Sequence, residues 1–330
     1  MPADSSAHPE VFEPVRLVPV HIPKPWGQEI WYTGMEARGE SLVDLQGTRL
    51  PLSQYLALNP TAVCADQPVL LLKVLDPRPE DVLGDLYFEV HEEKQEVYVV
   101  SHIDPHAWPD AVGGIRLGMN QSVRQQYPND DAFRRAYLAA VQRYEVLRRA
   151  IDAGETTGDD VAERIAREAM NAFTHKRTLR VGDVVRVPTW TPHSLLHGVR
   201  VVEFQTPTYE RLIISFAQQV LTQDHWDSAA AVDRMSLDAP EPDQFELLAP
   251  GVERVARFDD FNVWRIDLTQ AGSLALPAHI PYAVCMNLSE DLGVGHLTLA
   301  AEEACFIPHA ALPQTHLEGT GVALVAAPAL

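Results

Sequence analysis

The segment of residues 84–96, GDLYFEVHEEKQE, carries the side chains that decide the fold. Glu89 and His91 are two residues apart, so on a β-strand they point to the same face of the sheet. Glu96 opens the apolar run EVYVV, which predicts a second strand. Acidic and imidazole side chains at the ends of two neighbouring strands predict a metal site.

The segment of residues 182–197, GDVVRVPTWTPHSLLH, supplies a fourth candidate ligand, His193. Two imidazoles and two carboxylates suit a divalent metal such as zinc, with water or substrate in the open positions. Each residue alone is better explained as a solvated carboxylate or a packed imidazole. The complete set, in this order and with Gly182 and Pro188 between, favours a metal site formed by Glu89, His91, Glu96 and His193.

The spacing of both segments is similar to that of the two cupin motifs. The first reads G-x4-E-x-H-x4-E and the second G-x5-P-x-W-x2-H-x3-H. In cupins these motifs converge on one metal inside a small β-barrel. We therefore expect a cupin-type β-barrel, or jelly roll, for this part of the chain.

The charge of the chain excludes several partners. Among 330 residues, 26 basic against 46 acidic side chains give a net charge of −20. Nucleic acids and anionic membrane surfaces require a basic face, so we expect neither as a partner. The three cysteines are widely separated and form no C-x-x-C pair, which favours a reducing, cytoplasmic location. We see no secretion signal and no apolar run long enough to span a membrane.

Short apolar runs separated by many of the 25 prolines and 18 glycines predict a mainly β protein. Residues 129–173 differ, because apolar side chains recur there at three- and four-residue steps, which predicts a helical insertion. The acidic, proline-containing stretch 237–244 is the candidate domain boundary. We expect a metal-binding cupin domain at residues 1–236 and a second, metal-free cupin-like β domain at residues 237–330.

Lys73 lies inside the apolar run VLLLKVLDP, residues 69–77, which predicts a buried strand. A lysine in such a run is costly unless its ammonium reaches a carboxylate, a phosphate or solvent. We therefore expect it either to extend to the surface or to take part in a pocket.

Five blocks of the chain resemble, in order, blocks of the type I phosphomannose isomerases of the cupin superfamily. They are PKPWGQEIW, LLLKVLD, FEVH with KQEVYVV, GDVVRVPTWTPHSL and VEFQTPTYER. The resemblance implies a cupin barrel with a helical section and a second, related barrel. It also implies one zinc ion per chain, with other divalent metals as alternatives, and no organic cofactor. Carried over by position, the metal ligands are the four residues above, and the catalytic residues are Lys94, Arg211 and Glu203.

The chain departs from the family pattern at the site itself. Glu89 stands where the family has a glutamine, and the loop from His91 to Lys94 is very short. Trp190 replaces a glycine, and Glu210 is inserted before Arg211. These departures bear on the substrate more than on the metal.

The resemblance implies a zinc-dependent aldose–ketose isomerase that works through an enediol and belongs to carbohydrate metabolism. Its preferred reaction is the interconversion of mannose 6-phosphate and fructose 6-phosphate, so the partner is a small sugar or sugar phosphate. Two alternatives stay open. One is a non-catalytic, metal-containing carbohydrate-binding or regulatory cupin, and the other is an iron-dependent redox cupin.

Overall fold

The computed structural model describes residues 13–64, 67–155, 160–221 and 223–329. As the sequence predicts, the fold is mainly β with a helical insertion. The strands in chain order are β1 Val15–Val18, β2 Val20–Lys24, β3 Gly27–Trp31, β4 Met35–Glu36, β5 Gly39–Glu40, β6 Leu42–Leu45, β7 Thr48–Pro51, β8 Leu71–Pro77, β9 Phe88–Val90, β10 Glu96–Ile103, β11 Gly113–Met119, β12 Thr174–Leu179, β13 Val184–Val187, β14 His193–Leu195, β15 Val199–Gln205, β16 Leu212–Ser215, β17 Glu246–Ala249, β18 Val252–Arg257, β19 Phe261–Asp267, β20 Leu274–Ala275, β21 Ala283–Asn287, β22 Leu292–Val294, β23 Leu297–Leu299, β24 Ala304–Ile307, β25 His316–Gly319 and β26 Val322–Pro328. The helices are α1 Leu52–Leu58, α2 Gln121–Arg124, α3 Asp130–Asp152, α4 Asp160–Asn171, α5 Ser228–Arg234 and α6 Leu268–Ala271, with a 3-10 helix at His309–Gln314.

One compact unit, residues 21–30 and 73–243, contains all the predicted site residues. Its two sheets have the strand orders β13-β10-β15-β8-β3-β2 and β12-β11-β14-β9-β16. Inward-facing apolar side chains of both sheets form one buried cluster, which includes Leu75, Tyr98 and Val201 from the first sheet and Ile115, Leu195 and Ile213 from the second. Two packed sheets with alternating inward residues form the cupin-type barrel that the sequence predicts.

The helical insertion connects two strands that pair with each other. β11 and β12 are antiparallel, with Met119 opposite Thr174, so the insertion leaves and rejoins the sheet at neighbouring positions. Asn129 caps α3, because its side chain accepts a hydrogen bond from the Ala132 amide at 2.9 Å. The predicted apolar stripe of α3 is buried, including Phe133, and packs on the back of strand β9.

The other unit comprises residues 1–20, 31–72 and 244–330. Its sheets have the orders β17-β18-β19-β26-β21-β24-β1-β6-β7 and β20-β25-β22-β23. Strand β1 pairs with both β24 and β6, so N-terminal strands complete the C-terminal sheet. These contact-based units therefore group residues 31–72 with the C-terminal strands. The division into domains at residues 1–236 and 237–330 stays a prediction about which segments fold independently.

The helices of the described part of the chain are all too short or too polar to cross a membrane.

Candidate metal centre

Three strands, β9, β10 and β14, bring the predicted ligands together. Glu89 lies in the middle of β9, and His91 follows the last residue of that strand. β14 pairs antiparallel with β9, which places His193 directly opposite Glu89. Glu96 is the first residue of β10. The glycine that opens the first motif has a packing reason, because a Cβ atom on Gly84 would lie 2.0 Å from the Arg78 carbonyl oxygen.

The ligand atoms of the four residues lie within a few ångströms of one another. One potential donor atom each from Glu89, His91 and His193 lies within 4.8 Å of the other two. His91 Nε2 is 3.8 Å from Glu89 Oε1 and 3.5 Å from Glu96 Oε1. His193 Nε2 is 3.2 Å from Glu96 Oε2. The structure thus groups Glu89, His91 and His193 and places the Glu96 carboxylate against both imidazoles.

Backbone carbonyls orient both imidazoles for metal binding. His91 Nδ1 is 3.0 Å from the Glu210 carbonyl oxygen, and His193 Nδ1 is 3.0 Å from the Thr191 carbonyl oxygen. A carbonyl only accepts, so each Nδ1 carries a hydrogen, and each Nε2 faces the carboxylates as the atom that could bind a metal. Among the residues that the structure describes, His91 Nε2 and Glu89 Oε2 are buried without a hydrogen-bond partner. Buried, unsatisfied donors of this type fit a divalent metal.

Burial and neighbouring charges shift the pKa values of three of these side chains. Burial and the neighbouring Lys94 ammonium hold the pKa of His91 well below its ordinary value, so this imidazole is in the neutral form that binds metals. Burial would also lower the pKa of His193, but its contact with the Glu96 carboxylate raises it. Burial would raise the pKa of Glu96, but Lys94 and the imidazoles hold it well below its usual range. The carboxylates therefore attract positive charge to this point.

Lys94 and Arg211, two of the predicted catalytic residues, lie directly on the ligand carboxylates. Lys94 Nζ is 2.7 Å from Glu96 Oε1. Arg211 Nη1 is 3.7 Å from Glu89 Oε2, and its guanidinium lies 4.4 Å from the centre of the Tyr87 ring. The inserted residue before Arg211 therefore does not turn the arginine away from the site.

The third predicted catalytic residue, Glu203, heads a row of buried charges across the sheet. Glu203 and Lys73 are adjacent, with Lys73 Nζ 3.2 Å from Glu203 Oε2. Lys73 Nζ also lies 3.9 Å from Glu29 Oε2, and Lys24 Nζ is 3.0 Å from Glu29 Oε1. Lys73 thus reaches carboxylates, one of the outcomes the sequence leaves open.

Sequence reasoning missed Glu29 and Lys24 as members of this row. The one available signal is weak: Glu29 is an ionisable residue inside the run QEIWY, whose neighbours Ile30 and Trp31 are buried.

Trp190 takes a backbone conformation that favours glycine. Its φ is 61°, in the left-handed region that side-chain-bearing residues rarely adopt. The ring packs against the apolar cluster below the helical insertion, and the Arg234 guanidinium lies 4.0 Å from the ring centre. Arg234 also pairs with Glu92 at 2.7 Å. The Trp190 ring and the Arg234 side chain therefore lie beside the short loop after His91.

His197, the second histidine of the downstream motif, has different partners. Its Nδ1 lies 2.8 Å from Asp85 Oδ1 and 3.5 Å from Asp81 Oδ1, and its ring stacks on Trp108 with 4.8 Å between centres. These contacts account for a buried histidine without a ligand role in the metal centre.

Comparison with solved structures identifies the fold. A mannose 6-phosphate isomerase from Bacillus subtilis is 16% identical over 95% of this chain and 99% of its own, with a TM-score of 0.66. A variant of the phosphomannose isomerase from Salmonella typhimurium is 15% identical over 96% of this chain and 100% of its own, with a TM-score of 0.72. A zinc-bound mannose 6-phosphate isomerase has the same identity and coverage, with a TM-score of 0.71. No protein-family model and no curated protein matches the chain. The chain has the cupin fold of these isomerases, as the sequence predicts, and at this identity the likeness concerns the fold alone.

Proposed function

We propose that the chain is a zinc-dependent aldose–ketose isomerase, with mannose 6-phosphate and fructose 6-phosphate as its preferred pair of substrates. The observation that carries the proposal is the convergence of two oriented imidazoles and two carboxylates with Lys94 and Arg211 beside them. The fold shared with mannose 6-phosphate isomerases supports it.

The proposed ligands are Glu89, His91, Glu96 and His193. A bound divalent ion would supply Lewis-acid polarisation of the sugar oxygens at C1 and C2. Compared with a glutamine, the carboxylate of Glu89 adds negative charge, which should strengthen metal binding and weaken the polarisation of the substrate. Arg211, which lies 3.7 Å from that carboxylate, offsets part of this charge.

The chain's own residues would move the proton and hold the developing charge. Burial raises the pKa of Glu203 well above its ordinary value, and the Lys73 ammonium offsets this only in part. A carboxyl group with a raised pKa is suited to exchanging a proton between two carbons at neutral pH. Arg211 stays protonated and would stabilise an enediolate. Lys94, fixed on Glu96, would donate to a substrate hydroxyl.

The test is the interconversion of mannose 6-phosphate and fructose 6-phosphate by purified protein, before and after chelation and zinc restoration. We expect turnover that chelator removes and zinc restores. His193→Ala should lose both metal and turnover. The matched control is His225→Ala, because His225 is exposed and its imidazole pairs with the neighbouring Asp224 and Asp227. Full activity in metal-stripped protein would contradict the proposal.

The second candidate is a metal-containing carbohydrate-binding or regulatory cupin without turnover. It is favoured by the pairing of both Lys94 and Arg211 with ligand carboxylates, which occupies the charges that catalysis would use. It predicts stoichiometric metal and bound carbohydrate, but no isomerisation of phosphorylated or free aldoses.

A further inference from the structure

The short loop between β9 and β10 has its backbone amides satisfied by a single distant segment. The amides of residues 92–94 donate to the carboxylate of Glu210, at 3.0, 3.1 and 3.0 Å in chain order. The next amide, that of Gln95, donates to Thr206 Oγ1 at 3.1 Å. Four successive N–H groups outside regular pairing are thus received by residues 206–210. Consecutive amides that converge on one anion form a nest.

The same residue also holds a proposed metal ligand. The main-chain carbonyl oxygen of Glu210 lies 3.0 Å from His91 Nδ1. Its side chain therefore folds the loop that carries Lys94, while its backbone fixes the tautomer and direction of His91. Lys94, at the end of that loop, reaches Glu96 at 2.7 Å. One residue contacts both the loop and the imidazole.

We infer that Glu210 is a positioning residue whose carboxylate serves as a built-in anion for the nest at residues 92–94. The extra residue before Arg211 and the short loop after His91 are then one structural feature, since the carboxylate closes the loop onto the metal centre. The inference rests on the metal centre of the proposed function, and only its catalytic part rests on the isomerase activity as well.

A merely structural role would make Glu210 one of many surface carboxylates that stabilise a loop. Its side chain is 24% exposed, so small anions from solvent can reach the nest when the carboxylate is removed. The positioning role therefore makes a distinctive prediction: a small exogenous carboxylate should replace the missing side chain.

The experiment measures zinc affinity by chelator competition for wild type, Glu210→Ala and Glu210→Gln, each with and without acetate. Loss of a group that orients a ligand typically weakens metal binding by about 10- to 100-fold, and we expect this for Glu210→Ala. Acetate should recover much of the loss in Glu210→Ala and leave wild type unchanged. Glu210→Gln keeps one acceptor oxygen without charge and should fall between the two. The control is Glu241→Ala, which removes an exposed carboxylate from the proline-containing stretch.

Two further readouts separate positioning from general stability. The visible absorption of cobalt-substituted protein should change in Glu210→Ala, because a loop without the carboxylate no longer holds the Glu210 carbonyl against His91 Nδ1. Amide exchange at residues 92–94 should accelerate. Wild-type zinc affinity in Glu210→Ala would overturn the inference. A loss that acetate does not reverse, with Glu210→Gln no better than Glu210→Ala, would also overturn it. If Glu210→Ala does not fold, Glu210→Gln alone decides by its affinity and cobalt spectrum.

These outcomes do not depend on turnover. An inactive wild-type protein would remove the proposed isomerase function but leave the metal-affinity comparison intact. If wild type is active, a Glu210→Ala variant saturated with zinc should show a lower kcat with little change in KM, because Lys94 is displaced while the rest of the pocket remains.

Discussion

Replacing Lys73 by methionine tests the row of charged side chains formed by Glu203, Lys73, Glu29 and Lys24, in which Lys73 joins the two glutamates. Glu203 is 1% exposed, and its carboxylate oxygens have no hydrogen-bond partner in the described chain apart from the ion pair with Lys73. Lys73→Met keeps the length of the side chain and leaves this carboxylate buried alone. Glu29 keeps its second partner, Lys24, at 3.0 Å, so the damage should be concentrated on Glu203.

The expected magnitude follows from the burial of the pair. Removing one partner of a buried ion pair costs about 3–5 kcal/mol, whereas replacing both partners by uncharged groups of similar size costs little. We therefore expect Lys73→Met to lower the free energy of unfolding by about 3–5 kcal/mol at pH 8. Adding Glu203→Gln should recover at least half of that loss.

The pH dependence of the loss has a definite sign. Burial raises the pKa of Glu203 and Lys73 opposes this rise, so the pKa should rise further in Lys73→Met. A carboxyl group whose folded pKa lies above its unfolded value contributes stability below the unfolded pKa and loses it as the pH rises toward the folded pKa. The loss of stability caused by Lys73→Met should therefore increase as the pH rises above the ordinary carboxyl pKa, and it should be smaller at pH 5 than at pH 8.

Urea unfolding of the wild type, of Lys73→Met and of the double variant with Glu203→Gln measures these differences at both pH values. The matched control is Lys176→Met, because Lys176 is exposed and its ammonium lies only over the Trp108 ring, a contact worth about 0.5–1 kcal/mol. A loss below about 1 kcal/mol for Lys73→Met at pH 8 would refute the buried pair. A double variant no more stable than Lys73→Met would refute it as well.

Three other predictions rest on local geometry. Trp190→Gly should be more stable than Trp190→Ala by about 1 kcal/mol in thermal unfolding, since both lose the ring but only glycine relieves the positive φ of 61°. Gly84→Ala should reduce the melting temperature more than Gly182→Ala. A Cβ atom on Gly84 would lie 2.0 Å from a carbonyl oxygen, whereas a Cβ atom on Gly182 would meet nothing within 4 Å and would be strained only by the φ of 88°. Equal losses of melting temperature would show that the structure around Gly84 relaxes to remove the clash. Phe133→Ala should cost about 3–5 kcal/mol in chemical denaturation, because the ring is fully buried among other aromatic rings; a loss below about 1 kcal/mol would mean that the helical cluster collapses into the space.

Local patterns in the sequence predict the elements of the fold, since they depend on near neighbours. The E-x-H spacing indicates that Glu89 and His91 share a face, and the three- and four-residue periodicity predicts α3, which begins at Asp130 beside the predicted start at residue 129. Resemblance to a family, rather than spacing alone, adds the roles of Lys94, Arg211 and Glu203. These roles stay proposals until they are tested.

Partners that are distant in sequence could not be predicted. The register that sets His193 opposite Glu89 joins strands separated by the whole helical insertion, and a one-residue slip would reverse its face. The sequence marked Lys73 as costly but could not say that Glu29 and Glu203 lie on neighbouring strands. From the sequence, Glu210 is an inserted residue that makes the register of Arg211 uncertain. Its role as a hydrogen-bond acceptor could not be predicted, because this role depends on where the loop at residues 92–94 folds.

The two faces of strand β9, which has only three residues, contact different parts of the structure. Glu89 faces the metal centre, while Phe88 and Val90 on the other face belong to the apolar cluster that includes Phe133 and Tyr137 of α3. Because these residues belong to one three-residue strand, the two faces of β9 cannot move separately. Repacking of the helices would therefore move Glu89, a proposed metal ligand. Variation in the insertion, which is distant from the proposed site in sequence, would then change how tightly that site holds an ion.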